Sequence, residues 1–301
     1  MSRLRVLLPP RASIEAAGWI DTWLPRGDAL PSVARGREAQ LHACFQLPTT
    51  TLPVAALLRQ QACGDAGADL WLNATPSWVL VEINGARLMN CGGLELSAAE
   101  TDALTQALRP LFGDHGALLE ATHPSRWQLR LAPGATLPDF DTPGATLGDD
   151  LLDHLPHGEH SLRWRSLFNE AQMILHQHPV NQARRQRGQS PVNALWFWGA
   201  GVLPSWVKSA LTRLASDDPL LQALAAAAAV PCTTLTACEL AGKHGNDEVL
   251  LDLADTPALG PWWSRIETAR RHFDSLQLHF ADGTGTLLKR WHRWRIWRRR
   301  R

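Results

Sequence analysis

The stretch Asn169–Gly201, NEAQMILHQHPVNQARRQRGQSPVNALWFWGAG, decides how the rest of the chain is read. It continues a run from Leu162 to Gln177 in which Leu167, Ala171, Ile174 and Leu175 recur at spacings of three and four. That is the period of a helix with one buried stripe. Pro179 ends the helix, because proline lacks an N–H and clashes with the preceding turn. A second helix carries Arg184, Arg185 and Arg187 and stops at Gly188, and Ala194–Trp198 is an apolar strand running into Gly199-Ala200-Gly201. A strand that ends in glycines can offer backbone N–H groups to an anion. Arginine adds paired donors for phosphate or carboxylate. Two readings stay open. Either His178, Asn181, Arg184, Asn193, Trp198, Gly199 and Gly201 surround a small anion, or they form a packed helix–strand junction in which glycine serves the turn.

Working outward, Val6–Leu8 reads as a short strand before Pro9-Pro10, and Leu52–Cys63 as a helix stopped by Gly64. Leu70–Leu72 and Trp78–Ile83 are strand-like, and Asn84-Gly85 predicts a tight turn into a return strand, Arg87–Asn90. Ser97 and Glu100 form a capping box, which predicts a helix to about Leu111. Ala117–Glu120 and Trp127–Leu131 read as a strand pair. Further on, Val249–Leu253 and Leu276–Phe280 are strands, and Asp282-Gly283 turns the second of them into Thr286–Leu288. The class is α/β, a mixed sheet with flanking helices. Residues 133–158 hold four prolines and four glycines, the composition of a linker. The expected division is therefore an N-terminal half 1–132, a linker 133–158, a second half 159–288 and a tail 289–301.

Composition sets limits. With 301 residues, 45% hydrophobic and 20% charged, the chain can bury a normal core. It has 14 Trp and no Tyr; packing in the core, with each indole N–H paired, is the plain expectation for most of them. The five cysteines form no C-x-x-C pair, which suits reduced thiols in the cytoplasm better than a zinc site or a disulfide framework. The start, MSRLRVLLPPRAS, is too short in apolar residues for a signal peptide, and no run approaches a transmembrane length. A cytoplasmic location is expected.

The pattern His178-Pro179-Val180-Asn181, Arg184, Gly188, Pro191, Asn193 and Trp198-Gly199-Ala200-Gly201 resembles a signature of the archaeal-type cofactor-independent phosphoglycerate mutases. With NEAQM before it and LWFWG at its end, the stretch is more similar still to a proteobacterial family of RpfE-type regulatory, phosphoglycerate-mutase-like proteins. Trp127–Leu131, Leu162–Trp164 and the basic C-terminus fit that family too, so the resemblance covers most of the chain. It implies part of the mutase fold. The mutases use two divalent metals and a Ser or Thr nucleophile, the metals clamping phosphoryl oxygens from roughly 4 Å apart. Their pattern has an Asp-Gly at the end of the N-terminal strand and a later Asp-x-x-Gly-His-Asp element. Here the first strand runs Val6-Leu7-Leu8-Pro9-Pro10, and the sole Asp-Gly is Asp282-Gly283, followed by Thr284 and Gly285. The resemblance thus implies ancestry and a ligand shape, without the metal set.

Other groups are weaker. His154, His157 and His160 recur at spacing three in a Pro/Gly loop, where exposed histidines are commoner than a metal site. Lys243-His244-Gly245-Asn246-Asp247 reads as a surface turn. No nucleophile elbow, phosphate-binding loop or dinucleotide motif occurs. The tail from Lys289 holds eight of the 30 Lys and Arg and no acid, which leaves 22 bases against 29 acids elsewhere. Arg290, Trp291, Arg293, Trp294, Trp297 and Arg298 alternate cation and ring. Such a segment suits anionic lipid, nucleic acid, or docking on the chain's own acidic body.

The leading expectation is a non-catalytic regulatory or ligand-sensing protein, without cofactor or metal, that binds a small anionic metabolite, phosphorylated metabolites among the candidates. The alternatives are a divergent metal-dependent mutase or phosphatase using His244, Asp247 and Asp282, and an interaction protein acting through its tail on lipid or nucleic acid.

Overall fold

The computed structural model describes residues 1–14, 18–83, 85–240 and 246–295. Within them the strands, in chain order, are β1 (Arg3–Leu8), β2 (Asp28–Ala29), β3 (Leu70–Glu82), β4 (Gly85–Cys91), β5 (Ala117–His123), β6 (Arg126–Leu131), β7 (Ala194–Gly201), β8 (Arg213–Ala215), β9 (Cys232–Thr233), β10 (Glu248–Asp252), β11 (Ser275–Phe280) and β12 (Gly285–Lys289). The class is mixed α/β. Two compact units form: Met1–Pro48 with Ser205–Arg301, and Thr49–Pro204.

The first unit carries a sheet in the order β2-β12-β11-β1-β10-β8-β9. From β11 to β9 all pairs are parallel, while β12 and β2 add antiparallel edges. Strands covered on both faces read as unbroken apolar runs, as in Val249-Leu250-Leu251 and Val6-Leu7-Leu8, all buried. Helix Gly260–Ala269 buries Trp262, Trp263 and Ile266, which join Leu4, Val6, Leu251, Leu278 and Phe273 in this core.

The second unit is antiparallel, in the order β4-β3-β6-β5 with β7 also on β3. Two expected strands, 70–72 and 78–83, are one strand of 13 residues. Its first half pairs β6 and β7, and its second half pairs β4 across a bulge at Trp78/Val79. The partner changes mid-strand, so the residue pattern changes with it. Helix Ala98–Asp114 starts at the expected capping box: Ser97 Oγ accepts from Glu100 N at 3.2 Å, and Glu100 accepts from Ser97 N at 3.0 Å. It buries Thr101, Leu104, Thr105, Leu108 and Phe112, one stripe at helical spacing. Helix Ser161–Gln177 buries Trp164, Leu167, Phe168, Ala171 and Leu175 by the same rule.

The Pro/Gly-rich stretch 133–158 does not separate the units. It lies inside the second one. Phe140 packs edge-on to Trp164 with centroids 5.3 Å apart, and Thr146 and Leu151 are buried. Leu147 and Asp150 bridge to Leu88 and Arg87 of β4. Its prolines and glycines bend a covering segment, and its few apolar residues anchor it. The division falls instead near residues 48 and 204, so the second unit is inserted into the first.

Trp71, Trp127, Trp164, Trp196, Trp262 and Trp263 are buried as expected, whereas Trp206, Trp291 and Trp294 are exposed. Trp71 and Trp127 are fully buried, and their indole N–H groups donate to Ala66 O at 2.9 Å and Pro124 O at 3.0 Å. Trp196 donates to Asp141 O. Among the described residues no helix is long and apolar enough to cross a membrane. All five cysteines are free thiols.

Candidate functional site

The residues expected to surround an anion are brought together, but they spend their donors on the chain itself. Asn181 is fully buried. Its amide donates to Leu175 O and Val192 O, each at 2.7 Å, and its oxygen accepts from Val192 N at 2.8 Å. Arg184 is 2% exposed. Nε donates to Ser190 O at 2.9 Å, Nη2 to Leu94 O at 2.6 Å and Nη1 to Glu100 at 3.2 Å. Asn193 clamps Val79, accepting from its N–H and donating to its carbonyl, both at 2.8 Å. His178 Nδ1 caps helix Pro179–Gln186 by accepting from Val180 N at 3.2 Å, and burial pushes its imidazole down from the usual range. Trp198 donates to Thr75 Oγ1 at 2.9 Å.

Nor do the glycines form an open turn. Gly199 and Gly201 belong to β7, and Gly201 pairs with Trp71 of β3. A Cβ on Gly199 would stand 2.8 Å from Val54 Cβ, and one on Gly201 would stand 2.5 Å from Pro53 Cβ. The glycines are there because helix Val54–Cys63 presses on the strand. Asn181 and Arg184 are buried while His178, Asn193, Trp198, Gly199 and Gly201 are half-buried, and with the donors above spent within the chain the cluster has the form of the packed helix–strand junction, the other of the two expectations. The capping Glu100 ties it to the neighbouring helix. Burial opposes its ionisation, but Ser97, Arg184 and Arg187 hold its carboxyl below the usual range.

The place where an open parallel sheet presents ligands is the edge at the C-terminal ends of its strands. In the first unit that edge carries Asp252, the last residue of β10, and Ser216 and Asp218, just after β8. Arg37, from helix Arg37–His42, lies across them. Its Nη1 and Nη2 donate to the two oxygens of Asp252 at 2.8 and 2.6 Å, and Nη2 also reaches Asp218 at 2.6 Å. Ser216 Oγ donates to Asp252 at 2.7 Å and accepts from Asp218 N at 3.0 Å. Asp218 also caps helix Pro219–Ala227 through Leu220 N. Although burial opposes its charge, Arg37 is held more strongly protonated than usual by Asp252 and Asp218.

The two-metal set that the mutase resemblance implies does not fit here. A divalent cation needs carboxylate oxygens free to turn toward it. Both oxygens of Asp252 are engaged by a guanidinium and a hydroxyl, and the cation between the acids is Arg37. Among the described residues no three His, Cys, Asp or Glu side chains are grouped to hold a metal ion. The alternative ligands are not brought together either. Asp247 precedes β10 and bonds Thr212 and Arg213. Asp282 follows β11, at the other end of the parallel strands, and accepts from Thr284 and from Arg11 N. His244 lies outside the described residues. His154 pairs with Asp141 at 2.7 Å, which with a weaker approach to Asp149 raises its pKa against the pull of burial.

A cavity of about 400 Å³ opens in the first unit, lined by Arg5, His42, Cys44, Phe45, Lys208 and Leu211 among others. Arg3 and Arg5 share one carboxylate, Glu248, at 2.8 and 3.0 Å. Arg5 also reaches Ala43 O at 3.3 Å, and the Lys208 ammonium sits 5.0 Å from the Trp206 ring. Of the lining side chains Arg5 and Lys208 are cationic and Glu248 anionic, which leaves the cavity with an excess of positive charge. Buried Phe45 and Leu211 give it an apolar wall.

Sequence reading did not single out Arg37, Asp218, Asp252 or the cavity. A signal was present for Asp252, an acid closing the apolar run Val249–Leu251, which is where a parallel strand delivers a functional side chain. Arg37 gave none, since its partners lie 181 and 215 residues away.

No family model matches the chain. A probable 2,3-bisphosphoglycerate-independent phosphoglycerate mutase of Geobacter sulfurreducens is 40% identical over 57 residues, 19% of this chain and 14% of that protein. The corresponding protein of Methanothrix thermoacetophila is 36% identical over 63 residues, 21% of this chain and 16% of that one. The aligned stretches thus span about a seventh of these curated relatives. Among solved structures, the cofactor-independent phosphoglycerate mutase from Thermoplasma acidophilum superposes with a TM-score of 0.40 and 16% identity, over 96% of this chain and 90% of that one. The PH0037 protein from Pyrococcus horikoshii gives 0.45 and 13%, over 96% and 87%. The chain is a mixed α/β protein with a limited stretch of sequence similar to phosphoglycerate mutases.

Proposed function

We propose that the chain is a non-catalytic, ligand-sensing protein on a mutase-like scaffold, of the regulatory kind that its resemblance to RpfE-type proteins implies. The observation that carries this reading is the Arg37 fork on Asp252. An internal cation occupies the strand-end edge where a metal-dependent phosphotransferase needs exchangeable metal and open carboxylates. A guanidinium can neutralise acids, but it offers no open coordination position and generates no nucleophile from water.

The small anionic ligand belongs in the cavity beside Arg5 and Lys208, because Asn181 and Arg184 are buried with their donors bonded to the chain. Arg5 lines this cavity and is held there by Ala43 O, Glu248 and the Cys44 thiol. Ligand pockets combine an apolar wall with a few fixed polar groups, and this cavity does so. A phosphorylated three-carbon acid would place its phosphate toward Arg5 and Lys208.

The test has two arms. Interconversion of 3- and 2-phosphoglycerate with added Mn²⁺ is expected to stay at background. Thermal melting with 3-phosphoglycerate is expected to rise, and Lys208→Glu to remove that rise. Metal-dependent turnover lost in Asp252→Asn would overturn the non-catalytic reading. A ligand shift unaffected by Lys208→Glu would overturn the cavity.

A further inference from the structure

The C-terminal segment bears the densest charge in the chain and lines neither the cavity nor the strand-end ion pair. From Lys289 onward, eight of thirteen residues are basic, three are Trp and none is acidic. Its described part is the tight turn Arg290–Trp294, which is firmly seated. Arg290 donates to Phe273 O at 3.1 Å and Arg271 O at 2.9 Å. His292 is fully buried, 3.3 Å from Asp28. Arg295 donates to Arg26 O at 3.2 Å and to Asp28. Docking on the body's own acids therefore uses one side of the turn.

The other side faces solvent. Trp291 is 51% exposed and Trp294 66% exposed. Each carries an arginine on its ring: Arg295 lies 4.1 Å from the Trp291 centroid, and Arg293 lies 4.9 Å from that of Trp294. Arg26 and Arg270 gather close by, both stacked on Trp23 at 5.4 and 3.6 Å, and Arg26 donates to Arg293 O. The acids of this neighbourhood are already answered. Asp28 is taken by Arg295 and His292, Asp274 accepts from Ser2 N at 2.8 Å, and Glu267 acts on Arg270. The sequence past Arg295 adds Trp297 and four more arginines.

From these observations we infer that the face formed by Trp291, Trp294 and the surrounding arginines binds an anionic lipid surface. Tryptophan settles at the headgroup level because its ring is apolar and its N–H is polar. Clustered arginines add attraction to anionic headgroups that falls within a Debye length. A single-stranded nucleic acid needs ring faces free for base stacking, and here each exposed ring already has a guanidinium on one face. The Arg293–Trp294 pair instead carries charge and apolar surface to the same depth, which suits phosphate headgroups, while Arg295, tied to Asp28, holds the Trp291 ring in place. This inference is independent of the cavity and of the strand-end ion pair.

The test is co-sedimentation of the full chain with phosphatidylcholine vesicles, with and without phosphatidylserine, at low and high salt. Retention is expected only with phosphatidylserine, weakening at high salt. The pair Trp291→Ser and Trp294→Ser is expected to lower it about tenfold, as is Arg293→Glu with residues 298–301 removed. Both rings are exposed, so an unchanged melting temperature confirms that the variants remain folded. Equal retention on neutral vesicles, no retention, or tighter binding to single-stranded DNA than to the vesicles would each overturn the inference.

Discussion

Arg37 lies across Asp252 so that each terminal nitrogen of the guanidinium takes one carboxylate oxygen, at 2.8 and 2.6 Å. The carboxylate is 5% exposed and the guanidinium 24%, so the pair is shielded from bulk water more than a surface pair is. Losing one partner of such a pair leaves an uncompensated charge, at a cost of about 3–5 kcal/mol. Arg37→Ala is expected to lower urea-derived stability by about that much. Adding Asp252→Asn to the same chain is expected to recover part of the loss, because the stranded charge is gone. A double variant weaker by the full sum of both single losses would contradict the pairing.

The junction around Arg184 makes a second prediction. Arg184→Met leaves Leu94 O and Ser190 O without their donors in a buried place and is expected to cost about 3 kcal/mol. Arg187 bonds the same Glu100 from an exposed position, and Arg187→Ala is expected to cost less than about 1 kcal/mol. Chemical denaturation of the two variants side by side checks the contrast. Equal losses would show that Arg184 is not the brace described.

How much of this the sequence disclosed depends on the range of the interaction. The capping box at Ser97 and Glu100 and the helix stripes of Leu104–Phe112 and Trp164–Leu175 are local, and their residues announce them. The sequence pattern splits the strand at 70–82 in two because its second half meets a different partner, β4. Asn181 and Arg184 looked like ligand donors because side-chain type alone does not say what accepts. Leu94 and Glu100, which take the Arg184 donors, lie 90 and 84 residues away. Residues 133–158 have a linker's composition for a related reason: Phe140, Thr146 and Leu151 are sparse in the sequence, yet they anchor the segment in a core built by distant strands.

Gly201 supplies a steric prediction. A methyl there would meet Pro53 Cβ at 2.5 Å and Pro53 Cα at 2.9 Å, and neither atom belongs to a flexible chain end. Gly201→Ala is expected to cost about 1–3 kcal/mol through overpacking, whereas Gly144→Ala, where nothing lies within 4 Å, is expected to be near neutral. Thermal melts of the two proteins distinguish them. An unchanged melt for Gly201→Ala would mean that the helix at Val54 does not press on β7.

His279, on β11, has its pKa pushed down from 6.5 to about 4, first by burial and then by Arg5 and Arg3. The unfolded chain therefore binds a proton that the folded chain refuses between those values. Stability from this residue is complete above about pH 6.5 and is lost as pH falls toward 4. The difference in stability between the wild type and His279→Gln is expected to shrink across that window. Curves that stay parallel from pH 7 to pH 4 would rule out this source of acid sensitivity.

Arg37 is the cation of the strand-end edge, held by Asp252 and Asp218. Titration of the wild-type protein with Mn²⁺, followed by the electron paramagnetic resonance of the free ion, tests that claim directly. The prediction is that the free-ion signal grows in proportion to added Mn²⁺, with no saturable loss to the protein. Two ions withdrawn per chain, and returned to solution by Asp252→Asn, would contradict it.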